Sequence, residues 1–357
     1  MASKTDYAVP TGEFIAEWLE DRDMSRAELA RRAGVSRKHI TMVIAGAPVT
    51  PDFATKLALV THVPAERWLA LEAQYRADVE RLGLENSLSA DKCLLERFKA
   101  SLTYLRARGV IAGDVRKPGH LMVQLMSFFD VGAPEALVPA NLLPQVAFHQ
   151  TQAFDAEMAS LATWLRLAKL AAVEEPLAHK YQASLLQEAL PEIRAMSMRL
   201  VAEPMAFVEC LAQAGVQVVV QPEIKGCRAY GATFWLADQP VIVLSARGKK
   251  DGPLWFTLFH ELGHVLRHPL ALCVEGEPGT NPDEDREAEA NEFAEEWLIP
   301  ASIRDELIGI QSKSGVADLA RRAGVSSGVI LHHLHHHGMW PYRHGQDLYL
   351  KLTVSDE

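Results

Sequence analysis

Residues 255–268 read WFTLFHELGHVLRH, an apolar helical pattern that carries two histidines four residues apart. His260 and His264 lie on one face of such a helix, because four residues make slightly more than one turn. Two imidazoles in this arrangement can occupy two corners of a tetrahedral zinc site, and Glu261 can reach a water molecule at the metal. The motif therefore predicts a metal centre with Glu261 as its general base.

A catalytic zinc site also needs a third protein ligand and one open position. His268 does not supply this ligand, because it lies eight helical residues, about 12 Å, beyond His260. We expect His268 to end the helix or to contact a ligand from outside the coordination sphere. The metzincin class of zinc peptidases is excluded. Arg267 and Leu270 stand where that class has its glycine and its third histidine.

The remaining oxygen donors lie in residues 283–300, DEDREAEANEFAEEWLIP. At about 100° per residue, the pattern predicts a buried stripe made of Ala290, Phe293, Ala294 and Trp297. Glu292 and Glu295 point away from this stripe, whereas Glu287 and Glu289 flank it. Both flanking glutamates are therefore candidates for the third ligand.

Three regions of different composition indicate a multidomain, mostly α-helical chain. Residues 1–78 have the pattern of short amphipathic helices, and residues 79–203 form a helical middle region rich in Ala, Leu and Met. Residues 204–357 add three β-branched or aromatic runs, which we interpret as a small sheet. These runs are VQVVV (216–220), RAYGATFWL (228–236) and PVIVLSA (240–246). We predict an all-α helix-turn-helix domain, a helical middle and an α+β zincin-like domain.

One stretch occurs twice: LARRAGVS at residues 29–36 recurs identically at residues 319–326. Each copy precedes a second helical pattern, so the sequence predicts two helix-turn-helix units, the second near residues 316–337. In the second copy Ser327 and Gly328 replace Arg37 and Lys38, which removes the cations that contact phosphates and bases. We interpret the second unit as structural.

The first unit has clear boundary signals. Ser25 and Glu28 have the spacing of a capping box, Gly34 can end the first helix, and Ser36 can cap the second. Ile40, Val43 and Ile44 then form the inward stripe of the second helix, with Arg37, Lys38, Thr41 and Met42 outward. An outward helix that begins with Ser-Arg-Lys is typical of DNA-binding units, in which this end enters the major groove.

Residues 11–71 resemble the HigA antitoxin branch of the Xre-type repressors, from GEFIAEWLEDRDMSRAELARRAGVSRKHITMVIAGAPVTPDFATKLALV to the RWLALEAQY close. The resemblance implies operator binding as a homodimer, with Arg37 and Lys38 reading bases, Ser36 contacting a phosphate and Thr41 on the same face. The alternative is a helical unit that only docks a partner protein.

Residues 204–347 resemble the ImmA/IrrE zinc metallopeptidases through HELGHVLRH and EAEANEFAEEWLIP, together with the flanking segments GATFWLADQPVIVLSARGKKDGPLWFT and GVSSGVILHHLHHHGMWPYR. The resemblance implies Zn²⁺ and a gluzincin-like ligand set in which Glu289 is the third ligand. It also implies cleavage of Xre-type repressors, which relieves repression in stress responses or in the control of mobile elements.

Two functions follow as hypotheses. In the first, the chain is a transcriptional regulator and zinc endopeptidase that cleaves a repressor or antitoxin, either a partner or itself. In the second, it is a HigA-like antitoxin of a toxin–antitoxin system, or a transcription factor, whose peptidase fold only senses or docks a partner. Tyr230 is a candidate oxyanion donor, although an aromatic residue in a strand is more often part of the core.

A histidine cluster departs from the family pattern at residues 332–337, HHLHHH. It contains pairs at i and i+4 that can bind a metal, but no third ligand is evident from the sequence. We interpret the cluster as a solvated helix end.

The formal charge of −10 argues against a nucleic-acid platform over the whole surface. Residues 205–357 carry −8 of this charge, and residues 1–79 only −1, which leaves room for a basic face in the first domain. No apolar stretch is long enough for a membrane span and no signal segment is evident, so we expect a cytoplasmic protein. Four well-separated cysteines without a CxxC pair exclude a thiolate zinc knuckle.

Overall fold

The computed structural model describes residues 6–89, 92–143, 152–245, 250–275 and 284–351. The chain forms two compact units. One comprises the chain up to Leu95 together with Ala112–Leu125, and the other comprises Glu96–Ile111 and the chain from Met126 onward. Among the described residues, no helix is both long and apolar enough to cross a bilayer.

Most of the described chain is helical, and the second unit adds a small mixed sheet, which confirms the predicted fold class. The helices are α1 (Thr11–Asp21), α2 (Arg26–Arg32), α3 (Arg37–Ile44), α4 (Pro51–Thr61), α5 (Ala65–Leu88), α6 (Lys92–Arg97), α7 (Lys99–Ala107), α8 (Pro118–Phe128), α9 (Pro139–Leu142), α10 (Gln152–Glu174), α11 (Ala183–Ala195), α12 (Ala206–Gln213), α13 (Asp251–Arg267), α14 (Glu284–Leu298), α15 (Ala301–Leu307), α16 (Lys313–Ala323) and α17 (Ser327–His336). The strands are β1 (Gln217–Gln221), β2 (Gly231–Leu236), β3 (Gln239–Ser245) and β4 (Cys273–Glu275).

Helices α2 and α3 form the first helix-turn-helix unit, and local hydrogen bonds set its boundaries. The Ser25 hydroxyl accepts the Glu28 amide at 3.2 Å, and the Ser36 hydroxyl accepts the His39 amide at 3.0 Å. Gly34 links the two helices with φ +65°, a conformation that glycine adopts at little cost. These observations match the predicted caps and turn.

The second half of the predicted capping box is not formed. The Glu28 carboxylate does not reach back to Ser25 but binds Arg31 at 2.6 Å and Arg32 at 2.7 Å. Both arginines lie within one turn of Glu28, and a charged guanidinium is a stronger hydrogen-bond donor to a carboxylate than a backbone amide is. Arg31 and Arg32 are therefore engaged in ion pairs within α2.

The sheet of the second unit has the strand order β1–β3–β2–β4, with β1 parallel to β3 and the other pairs antiparallel. Alternate residues of β3 face opposite sides. Ile242 and Leu244 pack in the same core as α13, whereas Val241 and Val243 pack in the core that contains Trp164 of α10. The sheet thus lies between α10 and α13.

Helix α10 belongs to the segment that we assigned to the helical middle region. Trp164 is buried there, and its indole nitrogen donates to the Gln221 carbonyl of β1 at 3.0 Å. The predicted middle region therefore supplies part of the core around the sheet. The division at residues 78 and 203 stays a prediction.

Helices α16 and α17 repeat the geometry of α2 and α3. Gly324 has φ +69°, and the Ser326 hydroxyl accepts the Val329 amide at 3.3 Å. The first turn of α17, however, is buried: the Ser326 hydroxyl donates to the Asp251 carboxylate at 2.6 Å. A side chain at Gly328 would place its Cβ 2.1 Å from Asp251 Oδ1. A cationic side chain at position 328 is therefore excluded sterically, and residues of the second unit belong to the core of the second compact unit.

Asp251 gives a test of this packing through pH. Burial raises the pKa of its carboxyl above the ordinary 3.8, against hydrogen bonds from Ser326 and backbone amides. The folded chain then keeps a proton at Asp251 at pH values where the unfolded chain has lost it. The free energy of unfolding should therefore fall as the pH rises from about 4 through the folded-state pKa. Asp251→Asn should flatten this part of the profile, measured by urea unfolding between about pH 4 and pH 8.

Asp305→Asn, a change at an exposed aspartate of α15, is the matched control and should leave the slope unchanged. An Asp251→Asn profile parallel to that of the unmodified chain would contradict the assignment.

Candidate metal centre

The two histidines and the glutamate of the HELGH motif lie in the interior of the second unit. His260, Glu261 and His264 are 1%, 0% and 0% exposed. Leu258, Phe259 and Leu262 of the same helix are also fully buried. Ionisable groups are rarely buried to this degree unless they are paired or bind a metal, so this part of α13 is the candidate for a metal centre.

Helix α14 approaches α13 at Gly263. A Cβ atom at this position would lie 3.2 Å from Ala290 Cα and 3.2 Å from Phe293 Cβ, which is closer than such atoms normally pack. The glycine of the motif thus lets the two helices come together. Glu287, one turn before Ala290, is in consequence brought to the two histidines.

Three donor atoms converge at this point. His260 Nε2 and His264 Nε2 are 3.0 Å apart, and the Glu287 carboxylate oxygens lie 3.2 Å from each of them. Ligands bound at about 2.0 Å to one tetrahedral ion are about 3.3 Å from each other. The two imidazoles and one carboxylate therefore fit a zinc ion in both donor type and spacing.

The carboxylate that converges with the two histidines belongs to Glu287 and not to Glu289, the third ligand that the family resemblance implied. The Glu289 carboxylate is 56% exposed and lies 3.0 Å from His268 Nε2 instead. Glu287 is on the same helical face as Ala290 and Asn291, whereas Glu289 is rotated about 200° away from Glu287. Helix periodicity alone leaves both Glu287 and Glu289 as candidates for the third ligand. The family resemblance implies Glu289, which faces outward in the structure.

Each histidine of the pair has a partner on its other ring nitrogen. His260 Nδ1 lies 3.0 Å from Asn291 Oδ1, and His264 Nδ1 lies 2.9 Å from His268 Nδ1. Contacts of this kind fix the orientation and tautomer of metal-binding imidazoles. His268 thus lies outside the donor set and contacts it through His264. Asn291 was not predicted, although its position four residues after Glu287 places both on one face.

The charge states of these groups suit a metal. Burial raises the pKa of Glu287, but hydrogen bonds from His260 and His264 outweigh it and lower the pKa to about 2. Burial lowers the pKa of His264 below its ordinary value. At neutral pH the site therefore presents a carboxylate and a neutral imidazole, the forms that coordinate divalent ions.

Strand β2 holds Glu261 from the other side. The Thr233 hydroxyl donates to Glu261 Oε2 at 2.6 Å. Gly231 lies against the same carboxylate, since a Cβ atom there would come within 2.6 Å of Glu261 Oε1. No sequence signal indicated Thr233, because the contact joins residues of a strand and a helix that are 28 positions apart.

Tyr230 directly precedes β2 and is half-buried, and its carbonyl accepts the Ser245 amide at 2.8 Å. The structure thus places its backbone next to the strand that contacts Glu261. Its role as an oxyanion donor stays a prediction.

The outward face of α3 carries the residues predicted to contact DNA. Ser36, Arg37, Lys38 and Thr41 are exposed, while Ile40 and Val43 are buried. The Thr41 hydroxyl donates to the Arg37 carbonyl at 3.0 Å, one turn earlier. Arg37 and Lys38 take part in no ion pair among the described residues, which leaves both cations available for a phosphate or a base.

Two family models match the chain. Residues 214–335 match the peptidase family model described as the IrrE N-terminal-like domain, and residues 15–68 match the model described as a helix-turn-helix. The first range contains α13 and α14, and the second contains α2 and α3. A comparison with curated proteins gives no match. The chain thus combines an Xre-like helix-turn-helix domain with an IrrE-like domain of the metallopeptidase type.

Proposed function

We propose that this chain is a zinc-dependent endopeptidase joined to a DNA-binding helix-turn-helix domain, and that it cleaves a repressor-type protein, either a partner or itself. The observation that carries the proposal is the convergence of His260, His264 and Glu287 beside the buried Glu261. The match of residues 214–335 to a peptidase family supports the same reaction class.

In this proposal His260, His264 and Glu287 hold the zinc ion. Zinc in such a site supplies a Lewis acid that polarises the attacking water and the scissile carbonyl. Glu261 acts as the general base: its carboxylate takes a proton from the water and returns it to the leaving amine. Thr233 holds one oxygen of that carboxylate, so the base has a fixed orientation.

The outer contacts support the donor atoms. If His264 presents Nε2 to the metal, its Nδ1–H donates to His268, and His268 in turn donates to Glu289. This chain ends on an exposed carboxylate, which stabilises positive charge that develops on His264 when the metal binds. Asn291 has the corresponding role for His260.

The N-terminal domain directs the chain to an operator in the proposal. Arg37 and Lys38 read base edges in the major groove, Ser36 contacts a phosphate, and Thr41 extends the same face. The exposure of all four side chains supports this role. We also propose a homodimer, since units of this class bind paired half-sites.

Arg37→Ala and Lys38→Ala should each weaken binding to a selected duplex by about 5- to 150-fold, equivalent to about 1–3 kcal/mol per base contact. Each change should also relax the preference for one base pair, because a base reader is removed. The measurement is a gel shift at several salt concentrations, with duplexes selected from a random pool.

Lys56→Ala is the matched control, since Lys56 is a cation of α4 that pairs with Asp52 at 2.6 Å. Lys56→Ala should therefore leave the affinity for the selected duplex nearly unchanged. Unchanged specific binding in both α3 variants would contradict the proposed readout.

Cleavage itself is tested with zinc-loaded full-length chain, its His264→Gln variant and a set of Xre-type repressors, followed by intact-mass spectrometry. We expect fragments only with the unmodified chain, from a repressor or from the chain itself. No cleavage in any mixture would contradict the peptidase proposal and favour the alternative, in which the domain only senses or docks a partner.

A further inference from the structure

The histidine cluster of residues 332–337 lies on α17 and directly after it, and the proposed function makes no use of it. The sequence showed histidine pairs at i and i+4 but no third donor. The structure shows which of these imidazoles contact aromatic neighbours and which of them meet a third donor.

Three of the five histidines in this cluster are engaged elsewhere. The rings of His332 and His336 face Phe256 of α13, with centroid distances of 5.3 Å and 5.6 Å. His335 lies 3.0 Å from the Tyr349 hydroxyl through Nδ1. These three side chains are therefore directed toward aromatic neighbours.

The remaining two, His333 and His337, meet a carboxylate from another helix. Their ring centroids are 4.2 Å apart, and Glu295 Oε1 of α14 lies 2.7 Å from His337 Nε2. One donor atom from each of the three residues falls within a single 4.8 Å group. Glu295 is the third donor that the sequence analysis lacked.

We propose that Glu295, His333 and His337 form a second metal site, which binds Zn²⁺ or a similar divalent transition-metal ion. Two imidazoles and one carboxylate are the donor set of such ions, whereas Ca²⁺ and Mg²⁺ prefer oxygen ligands. Side chains of an i, i+4 pair with a third donor across a helix interface can close around one ion, and a water molecule completes the tetrahedron.

This site is separate from the one at Glu287. Glu295 follows Glu287 by eight residues on α14, which is about 12 Å along the helix axis. The side chain of His337 is 36% exposed and that of Glu295 is 27% exposed, so an ion can enter from solvent. By contrast, the histidines of the first site are almost fully buried.

Metal at the second site has a structural consequence. It joins α14, which carries Glu287, to α17, whose first turn is docked on Asp251. Binding would therefore restrain the helix that supplies the third ligand of the first site. Without a metal, the same residues are joined by the hydrogen bond between Glu295 and His337 and by the ring contact between His333 and His337.

The test counts metal ions in untagged full-length chain that has been stripped with a chelator, dialysed against zinc and measured by elemental analysis. We expect two equivalents in the unmodified chain and in the control His336→Gln. We expect one equivalent in His337→Gln and in Glu295→Gln, both partly exposed positions where the fold should tolerate the change.

Cobalt supplies a second readout in the His264→Gln background, where the first site is disabled. The visible absorption of tetrahedral cobalt should remain there and should disappear when His337→Gln is added. If the unmodified chain binds a single equivalent that His264→Gln removes and His337→Gln does not, the second site is refuted. If a single equivalent is retained in His264→Gln and lost in His337→Gln, the second site stands and the proposed catalytic centre fails.

Discussion

Glu287→Gln should lower the zinc affinity of the first site by more than about 100-fold, whereas Glu289→Gln should lower it by about tenfold or less. The Glu287 carboxylate lies 3.2 Å from both Nε2 atoms, so its replacement removes a charged donor from the centre of the set. The Glu289 carboxylate contacts the outer histidine, His268, and the Glu289 side chain is largely exposed. Competition with a fluorescent zinc chelator measures both affinities.

The pair of variants is internally matched, because both change a glutamate of α14 to glutamine two residues apart. The measurement is made in the His337→Gln background, so that zinc at the proposed second site does not contribute. A larger loss in Glu289→Gln than in Glu287→Gln would restore the ligand set that the family resemblance implied.

Glu261→Gln should lower the rate of peptide hydrolysis by about 10²- to 10⁴-fold, the usual contribution of a general base. Glutamine keeps the shape of the side chain and can still accept from Thr233, but it cannot take a proton from the attacking water. Zinc content should stay unchanged, since Glu261 is not one of the three convergent donors. The rate is measured on the repressor found to be cleaved, and zinc by elemental analysis.

Thr233→Val offers a graded comparison, because it removes the hydroxyl that donates to Glu261 but keeps the base itself. We expect a smaller loss of rate than in Glu261→Gln. A Glu261→Gln chain that retains its zinc and more than about a tenth of the rate would contradict the role of Glu261.

Much of this architecture can be predicted from local signals. The cap at Ser36 and the glycine at 34 define the first helix-turn-helix unit, and the apolar periodicity around His260 defines α13. These features depend on residues within a few positions of each other. They therefore do not require knowledge of which elements meet in the fold.

The contacts between elements are less accessible to sequence analysis. Glu287 and Glu289 both flank the apolar stripe of α14, and the choice between them depends on the exact rotation of that helix against Gly263. Glu295 is a similar case: it pointed away from the predicted stripe, yet α17 lies beside it and places His337 within 2.7 Å. Strand β4 was also missed, because three residues give no periodic signal.

The duplicated octapeptide has an architectural consequence. The same eight residues build the same turn twice, once with the start of the following helix exposed and once with it buried against Asp251. The double change Ser327→Arg and Gly328→Lys would not create a second DNA-contacting helix start, because the space at Gly328 is already filled by the Asp251 carboxylate. The same turn can thus present a helix to solvent or anchor it in the core, and the elements packed around the following helix decide which of the two occurs.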